Sequence, residues 1–245
     1  MHRSISASIL YGRMNGPQAD IATALLRAAD SRDARLVDHL TRLINGVYRT
    51  AESGLWQDGA ARTTAPELVE LIAARQIAVA SRDGQIVGSV RIHDVADDTA
   101  EFGLLVADPD QRNSGIGRAL LDFAKRHTRE RGLRTMQLEL LVPRAWRHPS
   151  KEFLKSWYGR RGYRPVRTAR IEDAYRRLAP LVATPCDLTI YEKPLQPPDT
   201  DKEARGPATG ATPRPVPPPD RRRPPAAPAR SRASSRGTRS TAGTA

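Results

Sequence analysis

The chain has 245 residues, enough for one large domain or two small ones with a sizeable core. Of its formal net charge of +13, the stretch from Gln196 to Ala245 carries +6, with ten basic and four acidic residues, eleven of the twenty prolines and no aromatic side chain. Such a stretch buries too little apolar surface to offset the entropy of ordering, so the expected organisation is a loose leader over residues 1–20, one domain over 21–195 and a disordered basic Pro-rich tail over 196–245. The remaining charge is too mild to mark a polyanion partner, and the 35 arginines against 5 lysines fit GC-rich coding. The tail can hold nucleic acid or an acidic membrane surface weakly through screened charge. A single cysteine, Cys186, excludes a disulfide framework and multi-cysteine zinc patterns, and no metal is expected. No stretch approaches about 18 consecutive apolar residues, and the leader lacks the apolar core of a secretory signal. A cytoplasmic setting fits.

In chain order, the pattern predicts a short strand around Ala24 to Ala28, a polar turn at Asp30 to Asp33, and a helix with Leu36, Leu40, Leu43, Ile44 and Val47 toward a core. "TAPELVELIAAR" reads as a second helix with Thr64 as N-cap and Pro66 and Glu67 in its first turn. Three strands come next as an antiparallel meander, "QIAVAS", "QIVGSVRIHDV" and "TAEFGLLV", the first two joined at the hairpin signal Asp83-Gly84. After them stands an amphipathic helix, "GIGRALLDFAKRHTRERG", with Ile116, Leu120, Phe123 and His127 on one face and Gly132 as its stop. "TMQLELLV" is a strand, "PSKEFLKSWYGRRG" a short helix with Ser150 as N-cap, and "YRPVR" and "DLTIYEKPL" are the last strands. The sum is an α+β domain: a mixed, largely antiparallel sheet of about seven strands flanked by about four helices.

The junction "VADPDQRNSGIGRALL" carries the chemistry. A helix N-terminus leaves backbone N–H groups unpaired and partly positive, and glycines let an anion approach them. Gln111, Arg112, Gly115 and Gly117 therefore suit a pyrophosphate seat. A P-loop is excluded, because no lysine followed by Ser or Thr comes after the glycines, and the third glycine of a dinucleotide fingerprint is missing.

The run Arg112-Asn113-Ser114-Gly115-Ile116-Gly117 matches the R/Q-x-x-G-x-G/A signature of the GNAT acetyltransferases. The chain resembles that superfamily from about Ala24 to Glu192: "LLRAADSRDARLV" looks like its first strand and helix, "DGQIVGSV" like its second hairpin, and "WYGRRGY" like its late Tyr-x-x-x-Gly-Phe/Tyr element. The resemblance implies an acyl coenzyme A donor, acetyl coenzyme A above all, with its pyrophosphate on residues 111 to 117. It also implies a fourth strand splayed from the fifth, with Leu105 and Val106 nearest the thioester.

Direct transfer needs a base for the attacking amine and an acid for the leaving thiolate. By the resemblance, Tyr158 falls where many members place that acid, and the distance from Glu101 to Gly115 resembles the spacing of the base in histone-type members. Glu139, on the fifth strand, is a second candidate base. His93 and His148 stand alone in sequence and read as structural. Cys186 as an acyl carrier is disfavoured, since direct transfer needs no covalent intermediate, and Trp146 and Trp157 read as core or pocket wall. The acceptor site is expected at Asn45 to Arg62 and Arg167 to Asp187, with Asn45, Tyr48, Glu52 and Trp56 as pocket residues and Glu52 drawing a cationic amine. The expected activity is acetyl transfer from acetyl coenzyme A to a primary amine of unknown identity. A non-catalytic acyl coenzyme A sensor, a nucleic-acid role for the tail and a homodimer stay open.

Overall fold

The computed structural model describes residues 20–111 and 113–195. The expected leader, except Asp20, the expected tail and Arg112 lie outside the described residues. The first strand, β1 (Ala22–Leu25), lies a few residues earlier than the composition predicts. Its place is fixed by antiparallel pairing with β2 (Ile77–Arg82), Ala22 opposite Ser81, and the chain leaves it through a 3-10 turn over Ala28–Arg32. Helix α1 (Ala34–Ala51) is capped by Asp33, whose carboxylate accepts from the N–H groups of Arg35 and Leu36. Helix α2 (Ala65–Ala73) starts in a capping box between Thr64 and Glu67.

A hairpin joins β2 to β3 (Gln85–Ala96), and both turn residues, Asp83 and Gly84, take positive φ. β4 (Thr99–Ala107) completes the meander. Helix α3 (Ile116–Glu130) comes next, then β5 (Thr135–Pro143), α4 (Pro149–Gly159), β6 (Arg164–Arg170), a one-turn α5 (Ile171–Ala174) and β7 (Cys186–Pro194). The sheet has seven strands in the order β1-β2-β3-β4-β5-β7-β6, with β4 and β5 its parallel pair. The N-cap of α4 is His148 and not Ser150: the ring Nδ1 accepts from the Ser150 N–H at 3.2 Å. A lone histidine can cap as a hydroxyl does, which composition alone does not reveal.

Helices α3 and α4 cover one face of the sheet, where Ile116, Leu120, Leu121 and Ala124 pack on Phe102, Met136 and Leu138. Helices α1 and α2 cover the other, where Val37, Leu40, Ile44, Leu68 and Ile72 pack on Ile77, Leu104 and Val106. Close docking of α3 depends on Gly88 in β3: a Cβ there would stand 2.7 Å from both the Val106 carbonyl and Ile116 Cγ2. A third cluster, Leu55, Leu141, Ile171, Cys186, Leu188 and Ile190, lies under the segments that come after α1 and α5.

β4 serves both main cores because it is bulged. Ser89 pairs with Val106 and Arg91 with Gly103, so Leu104 and Leu105 together face Val90, and Leu104 takes a φ of 48°. The extra residue reverses the inward and outward alternation: Phe102 points into the α3 core, while Leu104 and Val106 point into the α1 core. A bulky residue at positive φ is uncommon and strained.

Candidate active site

β4 and β5 pair only from Thr99 to Glu101, opposite Thr135 to Gln137. β5 then runs beside β7 along its full length, whereas β4 stays with β3. The two parallel strands thus diverge just before the bulge, leaving a wedge that runs from Glu101 past Leu105 and Val106 toward the start of α3.

That helix begins at Gly115, with a φ of 89° and no side-chain cap. The N–H groups of Ile116, Gly117 and Arg118 have no intrahelical acceptor, so an anion meets donors at this end. Gly117 keeps the approach clear: a Cβ there would meet only Trp157, at 3.8 Å. Asn113 takes a φ of 60° within the turn. Gln111 faces inward: its N–H donates to Asp108, and its carboxamide oxygen accepts from Arg82 Nη1 at 2.8 Å. The Ser114 hydroxyl donates to the Gln111 carbonyl, and the Ser114 carbonyl accepts from Arg82 Nη2 at 3.3 Å. Gln111 and Ser114 therefore shape the turn, with Arg82 as a brace from the β2–β3 hairpin that sequence reasoning misses. Across the groove Arg161 stacks on Trp157, 3.5 Å above the ring. Burial, and then Arg118 and Arg160, hold its pKa below the usual arginine value.

Tyr158, on the last turn of α4, is buried against Phe102, Trp157 and Tyr163, with ring centroids 5.7, 5.0 and 5.9 Å away. Burial raises its pKa strongly, and Tyr48 and Tyr163 add to the rise. The phenol stays protonated, and it makes no hydrogen bond to the described residues.

On the opposite side of the wedge, Glu101 lies mostly buried rather than at an exposed strand end. Its Oε2 accepts from Gln137 Nε2 at 2.7 Å, and its Oε1 is 3.9 Å from His93 Nε2. Burial raises the pKa of Glu101, partly opposed by the Gln137 hydrogen bond. Glu139, one step along the same face of β5, accepts from the Tyr175 hydroxyl at 2.7 Å. Sequence reasoning does not single out Tyr175, although it falls within the 167–187 segment.

The two segments expected to frame the acceptor meet each other. Gln57 N–H donates to the Leu181 carbonyl at 2.8 Å, Ala183 N–H to the Leu55 carbonyl at 2.9 Å, and Trp56 forms a bridge with Val182. Asn45 is used up in holding this loop: its Oδ1 accepts from the N–H groups of Arg62 and Thr63, and its Nδ2 donates to the Thr63 carbonyl. Glu52 is also committed internally. It is 6% exposed, Lys151 of α4 pairs with one of its carboxylate oxygens, and Trp56 Nε1 donates to the other. Burial works against its ionisation, but Lys151 and Arg62 hold its pKa below the usual carboxylate range. Sequence reasoning misses Lys151 as well. Its signal is the helical spacing from Leu154 and Tyr158, which puts a lysine on a buried face. Tyr48 and Trp56 remain as walls, with the Arg62 guanidinium 5.1 and 5.8 Å from their ring centroids.

The other candidates are structural. His148 uses both ring nitrogens, the second on the Ser53 carbonyl at 3.0 Å, and Trp146 tilts against it. Burial lowers the pKa of His93, aided by Arg91. Cys186 is buried, and that burial pushes its thiol up to about 11, far from a nucleophile's range. Among the described residues no cluster of His, Cys, Asp and Glu is placed to hold a metal ion, and no helix is long and apolar enough to cross a membrane.

A comparison with curated proteins finds no match. The family model "Acetyltransferase (GNAT) family" matches residues 40–159. Among solved structures, the fold is similar to a PaiA N-acetyltransferase from Thermoplasma acidophilum in complex with coenzyme A, with 16% identity, a TM-score of 0.53, and coverage of 71% of this chain and 99% of that one. It is equally similar to a ribosomal-protein-alanine N-acetyltransferase from Brucella melitensis, again with 16% identity, a TM-score of 0.53 and coverage of 71% and 99%. N-acetylglutamate synthase from Neisseria gonorrhoeae, with coenzyme A and N-acetyl-glutamate, matches at 17% identity and a TM-score of 0.50 over 73% of this chain, which spans 36% of that longer one. Residues 40–159, just under half of the chain, thus match the GNAT acetyltransferase model, and the fold around them is GNAT-like.

Proposed function

We propose that the protein is an N-acetyltransferase that moves an acetyl group from acetyl coenzyme A directly to an amine, within one domain over residues 21–195. The observation that carries the reading is the wedge between β4 and β5, which opens at Glu101, ends at an uncapped helix N-terminus and has Tyr158 on one wall. The β5-facing edge of β4 near Leu105 and Val106, left unpaired where the two strands diverge, suits the amides of the pantetheine arm. The N–H groups of Ile116, Gly117 and Arg118, together with Asn113 and Arg112 of the signature, suit the pyrophosphate.

In this reading Glu101, steadied by Gln137, accepts the proton that the acceptor ammonium must lose, and its raised pKa makes it a stronger base than an exposed carboxylate. The neutral nitrogen attacks the thioester carbonyl, a C–N bond forms and the C–S bond breaks. Tyr158 supplies the proton to the departing thiolate, and the phenolate so formed takes up the second proton that the new amide nitrogen sheds, returning to its neutral form. Glu139, tied to Tyr175, holds negative charge beside the incoming amine. Calorimetric titration of acetyl coenzyme A into the full chain, then thiol detection with an amine panel, tests the proposal. Saturable binding at submillimolar ligand with amine-dependent thiol release is expected, and absence of binding refutes it. Binding without turnover across the panel would instead mark a sensor.

A further inference from the structure

The acceptor side holds a positive group that acetyl transfer itself does not call for. Arg62 lies in the segment between α1 and α2, its backbone fixed by Asn45 and its guanidinium over the faces of Tyr48 and Trp56. Its Nε is enclosed without a hydrogen-bond partner, and among the described residues Arg62 forms no salt bridge. Arg144, by contrast, is held by both Asp187 and Glu172. The acid that acts on Arg62, Glu52, is already engaged by Lys151 and Trp56. A guanidinium offers five donors in a planar fork that matches a carboxylate. Apart from the Tyr48 hydroxyl beside it, Arg62 finds no acceptor for its fork among the described side chains, so part of its bonding is unused.

The surroundings give the site two poles. Tyr175 bonds to Glu139 and feels the charges of both Glu101 and Arg62, while Tyr48 acts on Tyr158. Glu101 and Glu139 on β4 and β5 and the Arg62 guanidinium all act on Tyr175, so its neighbourhood carries both signs of charge. A plain alkylamine would engage only the carboxylates.

Resting on the acetyl-transfer reading, we infer that the acceptor is a carboxylate-bearing amine of amino-acid type, whose ammonium faces Glu101 and Glu139 while Arg62 holds its carboxylate. The other bases of this neighbourhood are Arg91 and Arg167, whose charges act on Glu101. Neither has the aromatic walls that fix Arg62.

The test compares L-amino acids with their carboxamides and with the matching decarboxylated amines. Thiol release from acetyl coenzyme A is one readout, and calorimetric binding to the full chain saturated with coenzyme A is the other. For the preferred side chain, kcat/KM should be about 10- to 100-fold higher for the acid than for its carboxamide, the size of a charge-assisted pair. Arg62→Gln should abolish that preference, and Arg62→Lys should keep part of it. A merely structural Arg62 would lower both rates equally. Thermal unfolding of each variant separates a lost contact from a lost fold. Equal use and equal binding of acid and carboxamide overturn the inference and leave acetyl transfer standing. Failure to bind coenzyme A overturns the acetyl-transfer reading, and the inference with it.

Discussion

The buried pair of Glu52 and Lys151 ties the acceptor loop to the helix that carries Tyr158, and its removal is a measurable perturbation. The two side chains are 6% and 3% exposed, so neither charge is relieved by water when its partner is lost. Breaking such a pair on one side costs about 3–5 kcal/mol. For a domain of this size, with roughly 2–4 °C of Tm per kcal/mol, Lys151→Met or Glu52→Gln should lower Tm by about 6–20 °C. The double change Glu52→Leu with Lys151→Met should recover at least half of that loss, because an apolar pair of similar volume is near neutral. Recovery stays incomplete, since the Trp56 N–H loses its acceptor. The pH dependence has a definite sign. The folded-state pKa of Glu52 is depressed, so its contribution is present above the ordinary carboxylate pKa of about 4.3 and is lost as pH falls through the lower folded value. The Tm gap between wild type and Lys151→Met should narrow in that acid range. Circular dichroism melts of the four proteins from pH 7 downward provide the assay. A single variant within about 2 °C of wild type, or a double variant no better than the worse single one, would refute the reasoning.

Tyr158→Phe removes a hydroxyl that has no partner among the described residues, so Tm should hold and coenzyme A binding should persist, while kcat falls by about 10²-fold or more, as befits loss of a general acid; an unchanged kcat removes Tyr158 from that role. With Glu101 as base, the acid limb of the kcat/KM profile should lie above the ordinary carboxylate range, because burial raises its pKa and the group must be deprotonated to act. In Glu101→Gln that limb should disappear with the rate, and its survival would point to another base. Gly88→Ala brings a methyl within 2.7 Å of the Val106 carbonyl and Ile116, so α3 must shift. Overpacking of this kind costs about 1–3 kcal/mol, and a Tm unaffected by it would mean that α3 docks loosely on β3.

Features set by near neighbours in the chain are those that composition reveals: the Thr64–Glu67 box, the Asp83-Gly84 turn and the Gly132 stop are each decided within a few residues. The turn into α3 is legible for the same reason, since its glycines and the helix behind them are contiguous. β1 is displaced because its limits come from pairing with β2, more than fifty residues away, and not from its own pattern. The contacts of Glu52 and Arg62 are less legible still. Glu52 reads as a free anion until folding brings Lys151, 99 residues later, against it. Arg62 reads as one arginine among 35 until Tyr48 and Trp56 are seen to enclose it. Period and spacing report which face is apolar. They do not report which polar groups neutralise each other across the fold.

The joining of residues 55–57 to 181–183 has an evolutionary consequence. The proposed donor contacts, from Leu105 to Arg118, occupy one unbroken stretch of chain and can be inherited as a block. The proposed acceptor mouth is a clasp between two loops far apart in sequence, closed by backbone bonds that ignore side-chain identity. Either loop can drift in side chains while the clasp holds. A change in its length, though, must be matched in the other. Diversification toward new acceptors should therefore proceed by paired insertions in these loops, against a nearly constant strand, bulge and helix beneath them.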